Sequence, residues 1–260
     1  MTGGRTPRGG GFTGAVASEW TKFWSLRSTW WCLVSATALL AAFTAVISLA
    51  ARVQAEAEGG AAGSVPVGSV GLAGLQLVQF AVIALAVLAV CSEYQTGSIR
   101  STLQWVPQRG RVIAAKTAVV GVVCLSSGIL FGVVGDGIGW VALGPFRAGG
   151  VGEVVRDVVA VTAYLTPLGV LSMGLGFVVR STAGTFAVVL LLVFGLPAAV
   201  QAVDSAVLNA MGHYLPLSAG GYLVDHAVEP YGPVTAVVVL LAWAAAAVVA
   251  GGVLLRRRDA

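Results

Sequence analysis

Six long stretches of the chain are almost free of charge, and short polar stretches separate them. They run from Trp30 to Ala51, Val70 to Cys91, Thr117 to Val141, Val158 to Val179, Ala183 to Val203 and Val234 to Leu255. Asp136 is the one charged residue inside any of them. A helix rises about 1.5 Å per residue, so about 20 apolar residues cover the hydrocarbon core of a bilayer. The pattern therefore predicts an all-α polytopic membrane protein: a single transmembrane domain over residues 1–260 with six spans. Pro167 interrupts the fourth span, and Arg180-Ser181-Thr182 makes a tight turn into the fifth.

The intervening segments have their own patterns. Residues 1–12 are Gly-rich and basic, which predicts a disordered tail. Over 13–28, Val16, Trp20, Phe23 or Trp24, and Leu26 recur at helical spacing, with Glu19, Lys22 and Arg27 mostly off the apolar stripe. Tryptophan favours the headgroup level, so this segment reads as a helix lying along the membrane interface. Residues 204–233 hold no Lys or Arg but carry Leu208, Met211, Tyr214, Leu217 and Tyr222. Short re-entrant or interfacial helices capping the outer face are expected there, because non-helical backbone enters a bilayer only where protein buries it.

Composition sharpens the class. The chain is 57% hydrophobic and 10% charged, with a mean hydropathy of +0.91, against about 25% charged residues in a soluble domain. A soluble globule is excluded. The formal net charge of +4 does not point to nucleic acid, since the basic residues sit at the ends of apolar runs. With both termini cytoplasmic, Arg5, Arg8, Lys22, Arg27, Arg100, Arg109, Arg111, Lys116, Arg180 and Arg256 to Arg258 lie inside, and only Arg52, Arg147 and Arg156 outside. That asymmetry orients the chain by the positive-inside rule. Lys116, Arg111, Arg256 and Trp30 are the expected membrane anchors, placed where long basic and aromatic side chains reach the headgroups.

Candidate chemistry is sparse. Gly110 to Thr117 (GRVIAAKT) nearly matches a phosphate-binding loop, but Ala115 replaces the second glycine and no strand precedes it. His213, Asp225, His226 and Glu229 lack metal-ligand spacing, and a solvated outer loop is the expected setting. No serine stands in a nucleophile-elbow motif. Cys32, Cys91 and Cys124 lie in or beside spans without partners in the sequence and read as small hydrophobes. No metal site is expected. Asp136, near the outer end of its span among glycines, is read mainly as an interfacial polar residue, with a role in a substrate cavity as the alternative.

The polar island Glu93 to Lys116 remains. Gly97 breaks the descending helix, Ile99, Thr102 or Leu103, and Val106 share one helical face, and Pro107 ends the segment. A short amphipathic helix lying flat between two spans is expected. The pattern Glu93-x-x-x-Gly97-Ser98-Ile99-x-x-x-Leu103-x-x-x-Pro107-x-Arg109 … Lys116 resembles the first cytoplasmic loop of ABC transporter permeases of the type-2 exporter family. Ser98 stands where threonine is usual there, and Arg109 and Arg111 are each one place off the family spacing. The N-terminal SEWTKFWSLRSTWW is similar to the start of such permeases in high-GC bacteria.

The resemblance implies a permease subunit of an ATP-driven exporter in a bacterial plasma membrane. It further implies a second permease copy or paralogue and a separately encoded ATPase dimer, which binds ATP and Mg; this chain would carry no cofactor and would not itself be an enzyme. Glu93, Gly97, Ile99, Arg100 and Leu103 would couple the ATPase to the spans, and the cargo is expected to be lipophilic or amphipathic. The competing readings are an ion- or proton-coupled secondary transporter, and a non-transporting immunity or sensor-linked membrane component.

Overall fold

The structure, a computed structural model, describes residues 11–57, 65–98, 109–203, 205–226 and 229–257. Helix α1 (Gly11–Ser25) leads into α2 (Arg27–Ala57). A two-residue strand β1 (Val65–Pro66) and the short α3 (Val67–Ala73) precede α4 (Leu75–Thr96). Then follow α5 (Arg109–Leu143), strand β2 (Arg147–Ala148) and α6 (Val151–Val179). Helix α7 (Thr182–Leu190) continues through a π-helical turn, Leu191–Gly195, into α8 (Leu196–Gln201). Two short helices, α9 (Ala206–Gly212) and α10 (Pro216–Val224), lead to α11 (Pro233–Arg257).

Six of these helices are long and apolar enough to cross a membrane: α2, α4, α5, α6, the α7–α8 unit and α11. The chain is an all-α, multi-pass membrane protein. Helix α6 is its hub, packing on α4, α5 and α11 and burying 61% of its apolar window, against 22% for each of α2, α7–α8 and α11. Those three turn large side chains such as Leu39, Val46, Leu191 and Val238 outward, as helices facing lipid do. Glycines set the closest crossings. A Cβ on Gly128 or Gly132 would lie 2.8 or 3.0 Å from the α6 backbone at Thr162 or Val158, and one on Gly174 would lie 2.7 Å from the backbone of Ala247. Small residues at such crossings let helices approach where no hydrophobic driving force between them exists.

Helix α1 and the last turn of α11 lie at one end of the bundle, here called the base, and the opposite end is the crown. At the base, the Arg109 guanidinium donates to the carbonyls of Leu255 at 2.5 Å and Arg256 at 3.4 Å, and Arg180 donates to that of Leu254 at 3.4 Å. Both cations thus satisfy carbonyls left open at the C-terminus of α11 and face the negative end of its dipole. At the crown, β1 and β2 pair in parallel, Val65 with Arg147 and Pro66 with Ala148.

Several boundaries differ from those read in the sequence. The second apolar stretch is split at Gly74, so α3 is a separate crown helix and the span begins at Leu75. Helix α5 begins at Arg109, eight residues before the uncharged stretch, because the charged first turns are stabilised by packing and pairing inside the base. Helix α2 runs past Arg52, which pairs with Glu56 one turn on at 2.8 Å. The expected capping helices between the fifth and sixth spans are α9 and α10.

Candidate functional site

The base holds a closed ring of four charges. Three helices build it, each presenting a charged residue on its buried stripe. In α1 the stripe is Ala15, Glu19 and Phe23, one helical turn apart. In α4 it is Ala86, Val90 and Glu93, and in α5 Val112, Lys116 and Val119. Lys116 approaches Glu93 Oε1 at 3.1 Å and also bonds Glu19 Oε2; Lys22 lies 2.8 Å from Glu19 Oε1 and 3.1 Å from Glu93 Oε1. The signs alternate around the ring, and its formal charge sums to zero. Lys116 adds a third bond, to the carbonyl of Ala89 at 3.0 Å, which uses all three ammonium protons.

Lys116, Glu19 and Glu93 are 3%, 5% and 7% exposed. Burying such charges costs several kcal/mol per ion unless partners compensate, and here each of the three has at least two. Burial alone would raise the Glu19 carboxyl, but Lys116 and Lys22 together outweigh it and hold the group below its ordinary value. Burial would likewise lower the Lys22 ammonium, and Glu19 and Glu93 outweigh that and hold it above its ordinary value. Glu93 Oε2 is buried with no hydrogen-bond partner among the described residues. It lines a cavity of about 260 Å³ with Phe23, Ser92, Thr96 and Ser98.

Four residues beyond Glu93, helix α4 ends at Gly97 in the left-handed conformation, φ 71°, with its N–H donating to the Tyr94 carbonyl. An L side chain strains that backbone, although no described residue lies within 4 Å of where a Cβ would stand. The helical break expected at Gly97 is therefore in place. Ile99, Arg100 and Leu103, and the expected amphipathic helix, lie outside the described residues.

The other expected positions divide. Arg111 and Arg256 are exposed at the base. Trp30 is 55% exposed and packs against Trp24 with ring centroids 4.8 Å apart and the ring planes tilted by 46°. Lys116 is a correction: expected at the headgroups, it turns inward, because two carboxylates there outweigh its desolvation. Glu19 is another. The stripe of α1 is rotated by about one residue from the expected one, so Glu19 is buried and Trp20 exposed. The legible signal was Glu19 standing four residues from both Ala15 and Phe23, with Lys22 one turn ahead.

The crown carries a second polar cluster. Asp136 and Asp157 are 2% and 4% exposed and pack against Gly71 and Gly68 of α3, where a Cβ has no room. His226 Nε2 lies 2.5 Å from Asp157 Oδ1, while Asp136 Oδ2 is buried with no hydrogen-bond partner among the described residues. Asp136, expected at the interface, is instead covered by α3, and His226, expected in a solvated loop, is half-buried and pairs with Asp157. Nearby, His213 Nδ1 is 2.5 Å from the Tyr222 hydroxyl, and Tyr231 donates to the His213 carbonyl. Burial, with Tyr222 and Tyr214 alongside, pushes the Tyr231 phenol up to about 12, so it remains a donor at neutral pH. Among the described residues no three His, Cys, Asp or Glu side chains are grouped to hold a metal ion.

Compared with protein-family models the chain matches none, and no curated protein matches it at a significant level.

Proposed function

We propose that this chain is the membrane-spanning permease subunit of an ATP-driven exporter, with the base as the cytoplasmic end that receives force from a separate ATPase dimer. One observation carries the reading: the ring Glu19–Lys22–Glu93–Lys116 joins the interfacial helix to the two spans that flank residues 97–108. A push on that segment would act on α1, α4 and α5 together, because displacing one helix separates buried charges. The resemblance of this loop to type-2 ABC permeases supports the same end, as does the concentration of Lys and Arg at the base. On this reading the complex sits in a bacterial plasma membrane, the ATPase binds ATP and Mg, and a second permease copy or paralogue completes the pathway.

The test is reconstitution of the chain with the ATPase that co-purifies from its native membrane. Glu93→Arg should abolish ATP-driven export while leaving membrane insertion intact. Unaltered export by that variant would refute the coupling role.

A second reading is favoured by Asp136, one of whose oxygens is buried in the crown with no hydrogen-bond partner among the described residues. A proton-coupled transporter working alone would use such a carboxyl. Transport driven by a pH gradient without ATP, and lost in Asp136→Asn, would select that reading.

A further inference from the structure

A second cavity, of about 430 Å³, opens in the crown half of the bundle between α4, α6 and α10. It lies within the range of roughly 300–1,000 Å³ found for pockets that take drug-sized ligands. Its wall is unlike the rest of the apolar bundle. Tyr164 donates its hydroxyl to Gln79 Oε1 at 2.7 Å, and Gln79 Nε2 donates to Gln76 Oε1 at 2.6 Å. Gln79 is 1% exposed and Tyr164 2%, and both belong to membrane-spanning helices.

Polar groups at that depth are costly unless satisfied. This chain of bonds satisfies them and still leaves hydrogen-bonding capacity in residues that line the cavity: the amide protons of the exposed Gln76, and a further lone pair on Gln79 Oε1 and on the Tyr164 oxygen. Leu217 and Val224 of α10 supply apolar wall. Gly220 lies against the Tyr164 ring with no space for a Cβ, which seats α10 directly over the polar chain. Among the described lining residues the only charge is Asp225, exposed at the rim; no Lys or Arg lines the cavity.

We propose that this cavity is a binding site for an uncharged or singly cationic amphiphile that carries hydrogen-bonding groups. Its apolar part lies on Leu217 and Val224, and its polar groups join the Gln76–Gln79–Tyr164 chain. Asp225 disfavours anions at the mouth. Occupancy is a property of this chain alone; service as a station for exported cargo rests on the exporter reading above.

The test uses the full chain in lipid nanodiscs and ethidium, a planar monocation with two aromatic amines, followed by fluorescence anisotropy. Saturable binding is expected, weakened by about tenfold or more in the double variant Gln79→Leu/Tyr164→Phe. That variant removes both partners of the central bond together, so neither is left unpaired. The anion anilinonaphthalene sulfonate should not compete. As a second measurement that leaves the polar chain intact, Leu217→Cys should be protected by ethidium from a small neutral maleimide, read by mass at that position. Non-saturable binding, equal affinity in the double variant, or absence of protection at position 217 would overturn the site. Because binding needs no ATPase, its failure leaves the exporter reading standing, and failure of ATP-driven export leaves the site standing.

Discussion

Lys116 and Glu93, 23 residues apart in the chain, meet at 3.1 Å inside the base of the bundle. The polar segment that separates them in sequence leaves from the end of one helix and returns at the start of the other. Their pairing therefore closes the root of that segment, and α1 adds Glu19 and Lys22 to complete the ring. A charge in each helix that would be unfavourable alone becomes a register mark when all are present.

Lys116→Met should be strongly destabilising, by about 3–5 kcal/mol, since it leaves two buried carboxylates facing only Lys22. Adding Glu93→Gln should recover part of the loss by removing one orphaned charge. Unfolding of the purified variants in detergent, followed by circular dichroism, checks both. Equal stability of wild type and Lys116→Met would mean that the ring adds nothing to the fold.

The ring also sets a pH window. Glu19 titrates below its ordinary value of 4.5 in the fold, so its contribution is present above that value and is lost as pH falls through the lowered one. Lys22 titrates above its ordinary value of 10.5, so its contribution is present below 10.5 and lost as pH rises through the raised one. Melting temperature should thus be flat near neutrality and fall on the acid side, with a shallower acid limb in Glu19→Gln. An identical acid limb in that variant would assign the effect to other groups.

Arg109→Ala removes the guanidinium that closes the carbonyls of Leu255 and Arg256. A loss of about 1 kcal/mol is expected, with faster amide hydrogen exchange confined to the last turn of α11. Uniform acceleration across the bundle would show a global role for Arg109 instead of a local cap.

At Gly97 the backbone conformation itself opposes a side chain, and no described residue crowds the place of its Cβ. Gly97→Asn should be milder than Gly97→Val, because asparagine tolerates the left-handed region and a β-branched residue does not. Parallel melting curves of the two variants measure the difference. Equal loss in both would point to a contact in place of strain.

The six spans, the breaks at Gly97 and after Val179, and the capping helices were all legible, since each is written as a run of apolar residues or a turn residue. The ring was half legible. Glu93, Gly97 and Lys116 stood out in the polar segment, but nothing local says that Lys116 turns inward; that follows from Glu19, 97 residues earlier, arriving on another helix. The Asp157–His226 pair was hidden for the same reason, because burial there comes from α3 and the loop after α10. Gln76 and Gln79 were visible as polar residues near the start of a span, whereas their bond to Tyr164 depends on how α6 packs. Periodicity reports which face of a helix is apolar, and it does not report which distant charge will make a polar residue welcome on that face.

The claim that the base couples this protein to an ATPase is tested most directly by ATP hydrolysis in the complex purified from the native membrane with the full chain. The account predicts that an ABC-type ATPase co-purifies, and that Glu93→Arg uncouples its hydrolysis from export while assembly persists. Export that proceeds with Glu93→Arg, or that continues without any ATPase under a pH gradient alone, would contradict it.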